Sequence, residues 1–191
     1  GSIYLPKFIF YNYKLWIALI MKKSANSLAE KFKKIKLLAL DVDGVLTDGG
    51  IYYSDKGDSF RKFDAKDGMG ISLLLKSGLH VCIVSAGAPG AIESRAKRLR
   101  IDHVYTNVSD KLPVLMNLVK RLKIKMCEVA YIGDDLNDLL IFKKVGLSIA
   151  VRDSVGPIKA AADIITKNVG GQGAVREICD TILHQINKKS E

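Results

Sequence analysis

The sequence is short of cysteine and does not pair what it has. Cys82, Cys127 and Cys179 are odd in number, far apart, and show no CxxC or Cys/His spacing. That excludes a disulfide scaffold and a zinc site of the usual ligand spacing. Each lies in an apolar stretch and is expected to be a buried free thiol, in keeping with a reducing cytoplasm. Long hydrophobic runs are also missing: in the segment Ile3 to Met21 the longest uncharged run is Leu15 to Met21, far short of the ~20 residues that a membrane span needs. There is no nucleic-acid-binding motif and no basic aromatic surface, and neither an internal repeat nor a low-complexity segment appears.

What is present fits a single domain with a sizeable core. Hydrophobic residues make up 48% and charged residues 26% of 191, ordinary values for a globular protein. The net charge of +10 is concentrated at one end: residues 1–40 hold eight lysines and one glutamate, which is +7 and leaves +3 for the rest. Residues 1–34 therefore read as a basic N-terminal extension and 35–187 as the working domain. Within the extension, Gly1-Ser2 reads as an expression remnant, and Met21 before Lys22-Lys23 as a natural start. Ile3 to Met21 reads as an amphipathic or membrane-surface helix, and Ser27 to Lys36 as a basic amphipathic helix leading into the first strand.

The stretch that organises the chain is Leu37-Leu38-Ala39-Leu40-Asp41-Val42-Asp43-Gly44-Val45-Leu46-Thr47-Asp48-Gly49-Gly50. An apolar run of strand length ends abruptly at two carboxylates one residue apart, followed by glycines and turn formers. Carboxylates at the end of a core strand are costly unless something cationic neutralises them, so the pattern calls for a metal ion or a substrate that brings one.

From there, apolar runs alternate with helix-like periodic stretches. Strands are expected over Ile35 to Leu40, Leu79 to Val84, His103 to Tyr105, Val129 to Ile132, Leu147 to Val151 and Asp163 to Thr166. Helices are expected over Gly68 to Lys76, Pro89 to Leu99, Lys111 to Leu122, Asp135 to Lys144, Gly156 to Ala161 and Ala174 to Ile186. This rhythm predicts an α/β fold, a Rossmann-like and mostly parallel sheet with helices on both faces. Ligands in such sheets bind beyond the carboxyl ends of the strands, where Asp41, Ser85 and Gly133-Asp134-Asp135 fall. One segment breaks the rhythm. Gly50 to Ser54 and Asp58 to Phe63, joined by Asp55-Lys56-Gly57, predict a β-hairpin inserted after the first strand. A two-stranded ribbon is marginal alone in water, and no second domain is at hand to cover it, so a partner subunit is inferred.

The chemistry these residues permit is phosphoryl transfer. Mg²⁺ needs only one or two carboxylates besides water and phosphate oxygens; Asp41 and Asp134 can supply side chains and Asp43 a main-chain carbonyl. Asp41 can attack phosphorus as a covalent nucleophile. Asp43 can protonate the leaving oxygen and later activate water. Ser85 and Lys111 can bind the phosphoryl oxygens as charge redistributes.

These segments, in this order, resemble the haloacid dehalogenase superfamily of phosphohydrolases: DVDGVLTDG at 41–49, the Ser85 turn, Lys111, and GDDLND at 133–138. The resemblance implies Asp41 as nucleophile, Asp43 as acid/base, Asp134 as metal ligand with Asp135 supporting the metal site, and Asp138 behind them. Thr47-Asp48-Gly49, the hairpin, Phe63-Asp64-Ala65-Lys66-Asp67-Gly68 and Gly170-Gly171-Gln172-Gly173 narrow it to the capless branch that contains the 3-deoxy-D-manno-octulosonate 8-phosphate phosphatases. That branch implies a Mg²⁺-dependent phosphomonoesterase for a 2-keto-3-deoxy sugar acid phosphate, a cytoplasmic homotetramer with hairpin contacts, and substrate binding by Ser85, Ala86, Gly87, Lys111, Lys66 and Asp67. The chain departs from the branch pattern at Gly87-Ala88, where a Gly-Arg pair is expected, and at Asp64, Lys66 and Gln172, so a cationic contact is missing and a nine-carbon sugar-acid 9-phosphate competes as substrate. A phospho-receiver module and a non-catalytic assembly subunit are the alternatives of another class.

Overall fold

A computed structural model describes residues 27–187. The expectations for Gly1-Ser2, for Ile3 to Met21 and for the start at Met21 lie outside the described residues. The elements run as helix α1 (27–33), β1 (Leu37–Leu40), β2 (Tyr52–Tyr53), β3 (Ser59–Phe60), α2 (Ala65–Lys76), β4 (His80–Val84), α3 (Ala91–Leu99), β5 (His103–Tyr105), α4 (Lys111–Arg121), β6 (Val129–Gly133), α5 (Leu139–Phe142), β7 (Leu147–Ala150), α6 (Gly156–Ala161), β8 (Ile164–Ile165) and α7 (Ala174–Asn187). Six strands form one sheet in the order β5-β4-β1-β6-β7-β8, and every pairing in it is parallel.

Alternation along β1 distributes the core. Leu38 and Leu40 point to one face and pack with Ile71 and Leu74 of α2, Ile92 and Ala96 of α3, and Val175, Ile178 and Ile182 of α7. Leu37 and Ala39 point to the other and meet Leu115 and Leu118 of α4, Ile141 and Phe142 of α5, and Ile158 of α6. A strand covered on both faces has no room for polar side chains, so β1 reads as a continuous apolar run. Each such leucine or isoleucine buried from water contributes about 1.5–3 kcal/mol. β1 lies at the centre of the sheet with β4 and β6 as neighbours, which puts the ends of these three strands side by side.

Several expected boundaries move. Phe32 of α1 is buried in the same core as Leu38, with Leu28 packed against it, so the packed unit begins before residue 35. α2 starts at Ala65 rather than Gly68 because the Asp64 carboxylate caps it, accepting from the main-chain N–H of Lys66 and Asp67. The helix expected over 135–144 is broken into a 3₁₀ turn, Leu136–Asp138, and the short α5. Asp135 caps that turn through Leu136 N–H, and the Asp138 side chain is drawn inward instead of facing solvent. Cys82 and Cys179 are buried as expected, but Cys127 is exposed: it sits in the 3₁₀ turn Met126–Glu128 before β6, where the backbone, not the thiol, packs against Gly146.

The hairpin forms, shorter than expected, with Tyr52 opposite Phe60 and Tyr53 opposite Ser59. An antiparallel bridge between Thr47 and Phe63 closes its base on the β1 loop. Ile51, Tyr52, Tyr53 and Phe60 are exposed. Among the described residues, no helix is long and apolar enough to cross a membrane.

Candidate active site

A crevice of about 270 Å³ opens at the carboxyl edge of the sheet, lined by Asp41, Asp43, Gly44, Gly49, Ser85, Ala86, Gly87, Asp134, Asp135 and Asn137. Its size suits a phosphoryl group and a metal ion, whereas pockets that enclose a whole small ligand run to ~300–1,000 Å³. The residues come from three strand ends: Asp41 follows β1, Ser85 follows β4, and Asp134 follows β6. Parallel pairing in register, Leu40 with Ile83 on one side and Ile132 on the other, brings them level.

Lys111, the first residue of α4, is fully buried and reaches into the base of this site. Its Nζ donates to Asp41 Oδ2 at 2.5 Å and to Asp138 Oδ1 at 2.8 Å. Asp138 is a hub: the same Oδ1 accepts from the Tyr131 hydroxyl at 2.7 Å, and Oδ2 accepts from Asp134 N–H at 3.0 Å. The other oxygen of Asp41 accepts from Val42 N–H at 2.7 Å. Both oxygens of Asp41 are thus held, and its carboxylate has one orientation.

Three carboxylates, those of Asp41, Asp134 and Asp138, bring oxygens within 4.8 Å of one another. One lysine does not balance them. Burial, then the charge of Asp138, pushes Asp41 up to about 6 against the pull of Lys111. Burial, then the charges of Asp41, Asp138 and Asp135, pushes Asp134 up to about 7. Burial alone would lower the Lys111 ammonium, but Asp41 and Asp138 hold it above the usual lysine range. The donor set is oxygen-only, partly dehydrated and overcharged, which fits a hard divalent cation.

The loop after β1 is held in shape from two sides. Thr47 Oγ1 donates to Val42 carbonyl and accepts from the N–H of Gly44 and Gly49, each at 3.3 Å. Gly44 has φ +82°, and a Cβ there would fall 2.0 Å from Asp134 Oδ2, so only glycine lets the two acidic segments meet. The loop Gly170-Gly171-Gln172-Gly173 buttresses this turn from behind, with Gly171 N–H donating to Val45 carbonyl at 2.9 Å.

The sequence-derived candidates divide. Asp41, Asp43, Ser85, Ala86, Gly87, Asp134 and Asp135 all line the crevice, and Lys111 lies directly beneath it. Ser85 Oγ accepts from Gly87 N–H at 3.1 Å, so the hydroxyl shapes its own turn. Asp135 lines the crevice with its Oδ1 engaged by Leu136 N–H, and the carboxylate that lies close to those of Asp41 and Asp134 is Asp138. Two candidates are elsewhere. Asp67 is buried where α2 crosses α7, accepting from Gly173 N–H at 3.3 Å and Arg176 N–H at 2.8 Å. The start of α7 offers unpaired N–H groups and a favourable dipole, and these hold the carboxylate. Lys66 is exposed and does not line its own chain's crevice.

Two residues the motifs did not flag also belong here. Tyr131, in the middle of β6, is buried and fixes Asp138; its only sequence signal is a hydroxyl inside an otherwise apolar run. Arg61, just beyond β3, pairs with Asp43, and nothing in the sequence distinguishes it from the solvated Lys62 beside it.

Residues 91–178 match the haloacid dehalogenase-like hydrolase family. The 3-deoxy-D-manno-octulosonate 8-phosphate phosphatase of Escherichia coli strain K12 is 42% identical over 168 residues, covering 88% of this chain and 89% of the relative. The crystal structure of the phosphatase of that name from Yersinia pestis superposes with a TM-score of 0.83 at 40% identity, covering 86% of this chain and 89% of the other. The enzyme from Moraxella catarrhalis, solved with a magnesium ion, a phosphate ion and a KDO molecule, gives 0.83 at 40% identity, covering 86% and 95%.

Proposed function

Because the chain belongs to the haloacid dehalogenase-like hydrolases and is a phosphoric monoester hydrolase, we propose that it hydrolyses 3-deoxy-D-manno-octulosonate 8-phosphate through an aspartyl-phosphate intermediate, with Mg²⁺ as cofactor. The observation that carries this reading is the buried Lys111 ammonium seated between Asp41 and Asp138 beneath a crevice faced by Asp43 and Asp134. It is supported by relatives of that name and by the magnesium, phosphate and KDO in the Moraxella enzyme.

Asp41, oriented by Val42 N–H and Lys111, attacks phosphorus while the bond to the sugar oxygen breaks. Asp43 gives its proton to that oxygen, which leaves with the bonding pair as an alcohol. Asp43 then takes a proton from water as the water attacks the aspartyl phosphate, and Asp41 is released as a carboxylate. Lys111, Ser85 and the backbone of Ala86 and Gly87 bind the phosphoryl oxygens, and Asp138 with Tyr131 keeps Lys111 aimed at them. Asp41, Asp134 and the Asp43 carbonyl would hold Mg²⁺, which when bound neutralises these carboxylates and draws charge from the phosphoryl oxygens.

The crevice is too small to enclose an eight-carbon acid. The exposed Ile51, Tyr52, Tyr53 and Phe60 form an apolar hairpin surface that we propose packs against neighbouring copies, placing Lys66 of one copy near the crevice of another.

The test is phosphate release from 3-deoxy-D-manno-octulosonate 8-phosphate and from a nine-carbon sugar-acid 9-phosphate, with magnesium and with a chelator. The eight-carbon ester should be preferred, the chelator should stop turnover, and Asp41→Asn should lose several orders of magnitude in kcat with its fold intact. Turnover by that variant, or preference for the nine-carbon ester, would respectively remove the nucleophile or the substrate assignment.

A further inference from the structure

Asp43 is not free in its crevice. Arg61 donates through Nε to Asp43 Oδ1 at 2.7 Å and through Nη2 to Asp43 Oδ2 at 3.1 Å, a two-pronged contact that fixes the carboxylate in plane as well as in position. The Arg61 side chain is only 5% exposed, whereas that of Asp43 is 29% exposed: the arginine lies behind the carboxylate and the carboxylate faces the crevice.

The space the guanidinium fills is provided by Gly87. A Cβ on Gly87 would fall 3.0 Å from Arg61 Nη2 and 3.0 Å from Asp43 Oδ2. The turn that carries Gly87 is itself fixed, by Gly87 N–H to Ser85 Oγ at 3.1 Å and by Asn107 N–H to the Gly87 carbonyl at 2.9 Å. A side chain at 87 and an arginine from the hairpin would compete for one volume, and in this chain the arginine has it. The cation absent from the Ser85 turn is thus matched by one arriving from another element, and it grips the proposed acid/base.

We propose that Arg61 is the positioning residue for Asp43: its two-pronged grip turns the carboxylate toward the crevice and aims it at the leaving oxygen. The 2.7 Å bond to Oδ1 is the firmer anchor, and the 3.1 Å bond to Oδ2, beside Gly87, fixes the plane of the group. Arg61 follows β3, and the base of the hairpin is tied to the β1 loop by the Thr47–Phe63 bridge and by Lys62 to Asp48 at 3.3 Å. The hairpin therefore sets the direction of the proton donor, and a shift of the hairpin is a shift of the acid.

The inference rests on the assignment of Asp43 as acid/base, and the experiment separates the two. An alkoxide leaves from phosphorus only with a proton, whereas p-nitrophenolate leaves without one. Single-turnover rates are measured for the sugar acid phosphate and for p-nitrophenyl phosphate with the full chain, its Arg61→Gln, Arg61→Lys and Asp43→Asn variants, and melting temperatures alongside. Arg61→Gln should lose at least about tenfold more on the sugar ester than on the aryl ester, within the range a general acid supplies. Arg61→Lys, which keeps the charge but not the two-pronged contact, should fall between. Equal losses on both esters, or no loss, in Arg61→Gln while Asp43→Asn discriminates would reduce Arg61 to a hairpin anchor and overturn the inference. Absence of discrimination in Asp43→Asn would overturn the assignment of Asp43, and the inference with it.

Discussion

The base of the crevice and the hairpin are opposite solutions to placing polar groups. At the base, Asp41, Lys111, Asp138 and Tyr131 are all buried and are linked in that order by hydrogen bonds. At the hairpin, the polar backbone is satisfied by a two-residue ladder while Ile51, Tyr52, Tyr53 and Phe60 remain in water. The first arrangement specifies one geometry, because any lost member leaves a dehydrated partner. The second specifies little by itself and gains definition from what it touches. The proposed nucleophile stands on the buried network, and the proposed proton carrier is held by a residue of the exposed ribbon.

The sharpest way to break the contrast is to remove the hub. Asp138→Ala leaves the Tyr131 hydroxyl and Asp134 N–H without their acceptor and the Lys111 ammonium with Asp41 alone. Breaking a buried ion pair on one side costs about 3–5 kcal/mol, so the melting temperature should drop by roughly 10 °C for a domain of this size, with catalysis lost. Tyr131→Phe removes one of the three bonds and should cost about 1–2 kcal/mol. A change within about 2 °C for Asp138→Ala would mean that the network is not a structural unit.

A gentler probe of the same base is proton and metal competition. Asp41 and Asp134 are raised from 3.8 to about 6 and about 7 in the folded chain. Between about pH 4 and 7 the metal-free folded chain therefore binds more protons than the unfolded one. This part of its stability is present at low pH and is lost as pH rises through the folded values. A divalent cation requires the deprotonated carboxylates, so it replaces the lost protons. Magnesium should raise the melting temperature more at pH 8 than at pH 5.5, as scanning calorimetry would register. A pH-independent increment would place the ion elsewhere.

How much of this was legible in the sequence follows the same division. Asp41, Asp43, Ser85 and Asp134 each sit where an apolar strand run ends, a local signal, and β1 could be read as a buried core strand because its apolar run is unbroken. Lys111 and Asp138 were legible as motif positions, but not the geometry that makes Asp138 rather than Asp135 the third carboxylate, because that depends on a capped 3₁₀ turn. The place of Asp67 was not legible, because its carboxylate answers the start of α7, 106 residues away from it at Gly173. Arg61 was invisible, since an arginine in a charged hairpin carries no mark of the carboxylate it will meet. The meeting of distant strand ends at one crevice was readable from the apolar runs, and the individual side-chain contacts between distant elements were not.

The hairpin surface contributes little to the stability of the single chain. Tyr53 is 72% exposed. Tyr53→Ser should leave stability at the single-chain level within about 0.5 kcal/mol, as for other exposed positions. If the hairpin face packs against neighbouring copies, the same change should lower the sedimentation coefficient toward that of a monomer. Phosphate release should weaken at low protein concentration and recover as the concentration is raised, because mass action restores the assembly. Tyr53→Ser and the unaltered chain sedimenting alike would mean that Ile51, Tyr53 and Phe60 are merely exposed. The placement of the hairpin, and with it the aim of Arg61 on Asp43, would then be set within one chain.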